Sequence, residues 1–285
     1  MKEVFDSHTH VSFPALASDL EGVLMRARES GVKMIDVGTT YETSLKVLET
    51  ARKNPGEVYA CVGFHPSHVS EINWHHDKNE QASAEKEIFN RENFLQLAKE
   101  KEVVAIGEFG LDYFRLPKDS EVAYAKGSGG PKEEQKKVFK EMWAVAEEVG
   151  KPKMLHLRPS KGSDDAYSDT LELIKDLPNT TEKISHFFVG SLDVAKKMLE
   201  VGFNFTFGGV ITFVRDYDEV IKMLPMENIL FETDAPYVTP EPMRGKVNEP
   251  VNVLYVAKKI AEIRGVDYDE LISQVRSNVK RIFGI

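Results

Sequence analysis

Two histidines one residue apart, His8 and His10 in Asp6-Ser-His-Thr-His, close an apolar run near the start of the chain. Alternate residues of an extended strand share a face. Asp6, His8 and His10 are therefore read onto one side, the side that Val4 turns to the interior. An isolated His-x-His is a weak sign of metal, because a strand histidine is often just hydrogen-bonded. Its weight comes from what stands at the ends of later apolar runs: Glu108 after VVAIG, His156 in KMLHL, His186 in KISHF and Asp234 after NILFET. A buried strand has no structural use for an imidazole or a carboxylate at its mouth unless something binds it. Four imidazoles and two carboxylates from five strands match a two-metal site. His8, His10 and Asp234 would hold one divalent cation, His156 and His186 a second, with Glu108 between them. Two such cations polarise an electrophile, lower the pKa of a shared water and stabilise the leaving oxygen.

Bringing these residues to one end of a molecule is what a parallel barrel does. Eight short apolar or β-branched runs recur, at 3–8, 33–38, 58–63, 103–108, 153–157, 183–187, 203–207 and 228–233. The segments between them carry apolar residues at three- and four-residue spacing, and several end in Gly, which predicts helices. Two more helical segments, VNVLYVAKKIAEIRG and YDELISQVRSNVKRIFG, follow the eighth run. The alternation predicts a single α/β domain over residues 1–285, a (β/α)8 TIM barrel with extra C-terminal helices. Two connections are long, 67–91 and 115–134. Both follow strand C-termini, so they read as rim loops over the site or as surface insertions.

Composition narrows the class. With 41% hydrophobic residues over 285 positions the chain can bury a large core, which excludes disorder and a disulfide scaffold. No apolar run approaches the roughly 18–20 residues that span a bilayer. The start, MKEVFDSHTHVSF, lacks the apolar stretch of a secretory signal, and the single cysteine, Cys61, sits in the apolar VYACVG. Cys61 reads as a buried small hydrophobe, and the protein as cytoplasmic. The charge of −9, from 37 Lys and Arg against 46 Asp and Glu, argues against a broad basic face for nucleic acid. Bound cations can still supply positive charge locally.

The order His-x-His, Glu, His, His, Asp resembles the amidohydrolase superfamily. Within it, DSHTH, VGFHP, GEFGLDY, LHLR, SHFFVGS and ETDAPY followed by PMRGKVNEP resemble the TatD-related metal-dependent hydrolases, from Asp6 to the terminal RIFGI. The resemblance implies a binuclear metal site and hydrolysis of phosphodiesters, typically by a deoxyribonuclease that trims DNA from the 3′ end. It implies His8, His10, Glu108, His156, His186 and Asp234 as metal ligands. Glu108 and Asp234 become the catalytic pair, with Asp234 also accepting the proton of the attacking water. DNA, as single strands or 3′ ends, is the implied partner. Four histidines favour Zn, Mn, Ni or Fe as the bound ions, with Mg or Mn able to support turnover. This chain departs from the family at Phe187-Phe188-Val189-Gly190, where Cys-Phe-Ser-Gly is frequent, and in its long loops, including 160–169 after Arg158.

Other polar residues extend the site outwards. His65 in GFHP is a candidate for contact with a substrate phosphate, against a loop histidine bound to backbone. Arg158 shares the parity of His156 and would clamp a phosphate, against a structural ion pair. Arg244, Lys246 and Asn248, with Arg115, would form a basic rim, and Glu232 would orient a ligand histidine. Trp74, His75 and His76 read as a solvated loop rather than a base-stacking surface, and His68 likewise. Three rivals use the same sequence differently. A D-aminoacyl-tRNA deacylase would turn the same water on a carbonyl. A small-molecule amidohydrolase or lactonase suits the acidic charge, but Glu108 stands where many amidohydrolases place a carboxylated Lys. A non-catalytic barrel would lack a metal ligand, and none is missing.

Overall fold

The structure, a computed structural model, describes residues 3–69, 77–81, 85–116 and 130–285. Eight parallel strands lie in chain order, each hydrogen-bonded to the next. They are β1 (Val4–Thr9), β2 (Val32–Val37), β3 (Val58–Val62), β4 (Val103–Asp112), β5 (Lys153–Arg158), β6 (Lys183–His186), β7 (Phe203–Phe207) and β8 (Ile229–Phe231). The chain beyond β8 draws the ring almost shut. Asp234 N donates to His8 O at 3.0 Å and His10 N donates to Ala235 O at 2.7 Å. Asp6 fastens the same seam, accepting from Thr233 N at 2.9 Å and from Thr233 Oγ1 at 2.5 Å. Helices fill every connection for which they are predicted, and Val253–Arg264 and Tyr268–Phe283 follow β8, so the (β/α)8 TIM barrel with extra C-terminal helices is the observed fold.

Apolar periodicity explains the outer layer. The helix Tyr41–Lys53 starts at Thr40, whose hydroxyl accepts from Thr43 N, and it buries Val47, Leu48 and Ala51. Helix Gly130–Val149 buries Phe139, Met142 and Trp143 against the barrel, with Phe139 between Phe109 of β4 and Trp143. Cys61 is buried, and its thiol faces Gly107 O at 3.1 Å. Among the described residues no helix is long and apolar enough to cross a membrane.

Two strands break strict alternation, and both breaks shape the site. Asp6 pairs with Met34 and Thr9 with Asp36, so β1 spends three steps where β2 spends two. Ile106 pairs with Lys153 and Phe109 with Leu155, giving β4 the same excess over β5. One extra residue bends a strand and re-aims its side chains. Parity counted from Val4 therefore fails beyond Asp6, and the expectation that Asp6 joins His8 and His10 is corrected: its carboxylate turns to Thr233. β4 also runs four residues past its predicted end at Glu108. Gly110 lets it do so, because a Cβ there would lie 1.9 Å from His156 O. Gly110→Ala is expected to destabilise the fold by on the order of 3 kcal/mol through overpacking of a rigid strand pair. Urea unfolding of the purified variant measures it.

The described parts of the connection 67–91 are tied to the rim. Glu80 accepts from Thr39 Oγ1 at 2.5 Å and contacts His68 Nε2 at 2.7 Å, and Gln81 donates to Thr40 Oγ1 at 3.1 Å. Glu87 caps the helix Tyr41–Lys53, accepting from Tyr41 N and Glu42 N. His68 is thus buried and paired, which corrects its reading as a solvated loop residue. Trp74, His75 and His76, and residues 117–129 of the second connection, lie outside the described residues.

Candidate metal centre

Glu108 stands at the centre of the convergent side chains, and its two oxygens face different histidine pairs. Oε2 lies 3.4 Å from His8 Nε2 and 3.6 Å from His10 Nε2. Oε1 lies 2.5 Å from His156 Nδ1 and 2.8 Å from His186 Nε2. Within each pair the ring nitrogens approach to 3.2 Å. Asp234 joins the first pair, with Oδ1 3.4 Å from His10 Nε2 and 3.8 Å from His8 Nε2. Its backbone takes a left-handed φ of 55°, a conformation that asparagine and aspartate tolerate better than most residues and that clusters at functional sites. Two ring nitrogens held this close with lone pairs facing repel unless a proton or a cation lies between them. Each half therefore offers two imidazoles and a carboxylate oxygen, a donor set suited to a divalent cation, and in each half the atoms lie within 4.8 Å of one another.

Neighbouring groups decide which nitrogen of each ring is free. His10 Nδ1 lies 2.8 Å from Val37 O, so its N–H donates there and Nε2 faces the cluster. His186 turns Nδ1 to Glu232, 3.5 Å away, leaving Nε2 for Glu108. Glu232 is fully buried and accepts from Thr206 Oγ1, which in turn accepts from Phe187 N. His156 turns Nε2 to Asp112 Oδ2 at 3.3 Å, leaving Nδ1 for Glu108. Asp112 lies outside the residues that the sequence singles out, because the apolar run points to a strand end at Glu108. GLDY directly after GEF holds the signal: an acid four residues beyond Glu108, reached only if β4 continues.

The charges are tightly coupled. Burial pushes the Glu108 carboxyl up, but the surrounding histidines His186, His65, His8 and His156 hold it well below the usual carboxylate range. Burial and the neighbouring His186, stacked at 3.8 Å, push His8 down. His10 overcomes its burial through Asp234 and Glu108 and rises to about 9. Asp112 overcomes its burial through His156 and is held down to about 2.

A cavity of about 850 Å³ opens over this cluster, large enough for a nucleotide-sized ligand. His65 lies at its floor, with Nε2 3.4 Å from Glu108 Oε1. Its Nδ1 accepts from Ser67 N at 3.1 Å, so the neutral ring carries its proton on Nε2, directed to the cluster. Arg158 and Arg115 also line the cavity. Among the described residues the Arg158 guanidinium makes no salt bridge or hydrogen bond; it lies over Phe114, and its charge helps hold the Asp112 carboxyl down. Arg244 is placed outside the cavity lining. It lies 4.1 Å over Phe213 and donates to Thr239 O at 3.1 Å. Asn248 is buried, holding the chain after β8 through Thr233 O and Tyr237 O, and so does not join the expected rim, whereas Lys246 is exposed.

Comparison with known proteins agrees with this geometry. The family model described as TatD related DNase matches residues 5–284. A protein of Bacillus subtilis (strain 168) named uncharacterized metal-dependent hydrolase YabD is 34% identical, across 99% of this chain and 99% of its own. A 3′-5′ ssDNA/RNA exonuclease TatD of Erwinia tasmaniensis is 30% identical, across 99% of this chain and 100% of its own. Among solved structures, the TatD homologue YJJV from Escherichia coli K12 superposes with a TM-score of 0.77 at 29% identity, across 99% and 98% of the two chains. A barrel whose strand ends deliver a divided histidine–carboxylate cluster, and whose likeness to these proteins runs end to end, belongs to the TatD-related family of metal-dependent hydrolases.

Proposed function

We propose that the chain is a 3′-5′ exonuclease acting on single-stranded DNA through two divalent metal ions. The observation that carries this reading is the divided coordination of Glu108, one oxygen toward His8 and His10 and the other toward His156 and His186. His8, His10, Asp234 and Glu108 would hold one cation, and Glu108, His156 and His186 the other. Imidazole-rich sites of this kind favour Zn, Mn, Ni or Fe, and Mg or Mn is expected to support turnover. When bound, the pair supplies electrophilic activation of the phosphoryl group and acidifies the attacking water.

The side chains divide the remaining work. Asp234, beside His10 and open to the cavity, takes the proton of the water that attacks phosphorus. His65 offers its Nε2–H to a phosphoryl oxygen as charge builds there. Arg158, which lies over Phe114 and lines the cavity, neutralises a neighbouring phosphate bidentately. Asp112 and Glu232 hold His156 and His186 in the orientation that leaves one nitrogen free. Asp112→Asn is expected to lower metal affinity roughly 10- to 100-fold with the fold retained. Titration of the metal-free variant, followed by calorimetry beside circular dichroism, reads both.

The reading is tested on end-labelled single-stranded DNA with and without added metal. Stepwise shortening from the 3′ end that stops on chelation and resumes on metal addition is the expected result. A protein that holds two cations and leaves DNA intact under every metal would overturn the nuclease and direct attention to ester or amide substrates, D-aminoacyl-tRNA first.

A further inference from the structure

Phe114 follows β4 by two residues, lines the cavity over the cluster and is 46% exposed. A single exposed aromatic is ordinary on a protein surface, but this one is fixed from several directions. Its N–H donates to Asp112 Oδ1 at 3.0 Å, and Asp112 also faces His156. The preceding residue, Tyr113, donates its N–H to Arg158 O at 2.8 Å. Asp112 and Arg158 are register partners of β4 and β5, so the segment beyond them brings ring and guanidinium together. The Arg158 guanidinium covers the Phe114 ring, with Cζ 4.1 Å from the centroid. The result is a positioned ring with exposed surface, next to an arginine that has no salt bridge among the described residues, two residues along the chain from His156.

We infer that Phe114 and Arg158 form a subsite for one nucleotide of a single-stranded nucleic acid, beside the phosphodiester under attack. The base stacks on the exposed surface of Phe114, and Arg158 forks onto the adjoining phosphate. The inference rests on the nuclease reading above and sharpens it, because a small-molecule amide or lactone needs no platform for a base. It also answers the charge problem. The net charge of −9 argues against a broad basic face, so local contacts carry more of the affinity. Stacking is one that any base can make, and the subsite therefore binds without sequence preference.

The test compares metal-loaded wild type with Phe114→Ala, Phe114→Leu and Phe114→Trp on two short single strands. One strand is natural, and the other carries tetrahydrofuran in place of the bases flanking the cleaved bond. Phe114→Ala and Phe114→Leu are each expected to raise KM for the natural strand on the order of 10-fold with little change in kcat. Neither should alter KM for the base-free strand, and Phe114→Trp should behave as wild type. Equal effects on both strands, no effect on either, or full function with leucine would overturn the subsite while leaving the nuclease standing. Failure of the wild type to cleave either strand under any metal would overturn both.

Discussion

Glu108→Gln is expected to abolish hydrolysis and empty the metal centre at once. Every other candidate ligand serves one half of the cluster, whereas the Glu108 carboxylate presents one oxygen to each half. Glutamine keeps the length and the burial but replaces one acceptor oxygen with an N–H donor pair. That NH2 group would face either the His8–His10 pair or the His156–His186 pair, where lone pairs need a cation between them. The negative charge that draws two cations together is lost as well. Metal ions contribute several kcal/mol of transition-state stabilisation, and losing that share lowers kcat roughly 10³- to 10⁴-fold. Metal analysis of the purified variant is the companion measurement. A variant that keeps two ions per chain and loses only activity would show that Glu108 acts in the chemistry without bridging.

The contrast between Glu108 and Asp112 shows what is legible in this chain before folding. Glu108, His156, His186 and Asp234 can be found because polar residues at the ends of apolar runs are anomalous, and a barrel gathers all such ends on one face. Their grouping needs only strand order, which is sequential here. Asp112 and Phe114 need something finer. Asp112 sits where β4 continues past Glu108 and Phe114 just beyond the strand, and the continuation depends on an extra residue opposite β5 and on Gly110 pressing against His156 O. Neither leaves a periodic trace, so a period-two count stops too soon. Asp6 fails for the same reason, since the irregularity in β1 lies just beyond it. His68 and Arg244 are placed by another cause. Both sit in connections whose composition is polar, and one is buried by Glu80 while the other is held over Phe213. Partners that distant in sequence, or chosen by loop path, are set by tertiary packing alone.

Asp234→Asn separates binding from proton transfer, because Asp234 is the candidate ligand most exposed to the cavity among those that meet the first histidine pair. Its side chain keeps 17% of its surface accessible, against 4% for Glu108. His8, His10 and Glu108 remain to hold a cation when its charge is removed, and asparagine retains an acceptor oxygen. The amide cannot take up a proton from water, so the step that makes the nucleophile loses its base. A positioned general base contributes about 10²- to 10⁴-fold, and kcat is expected to fall within that range while metal content stays near the wild-type value. Asp234→Gly opens space for an external carboxylate, and added formate is expected to restore part of its activity without changing its metal content. If instead metal is lost in proportion to activity, and formate restores nothing, Asp234 is a ligand alone and the proton must leave by another group.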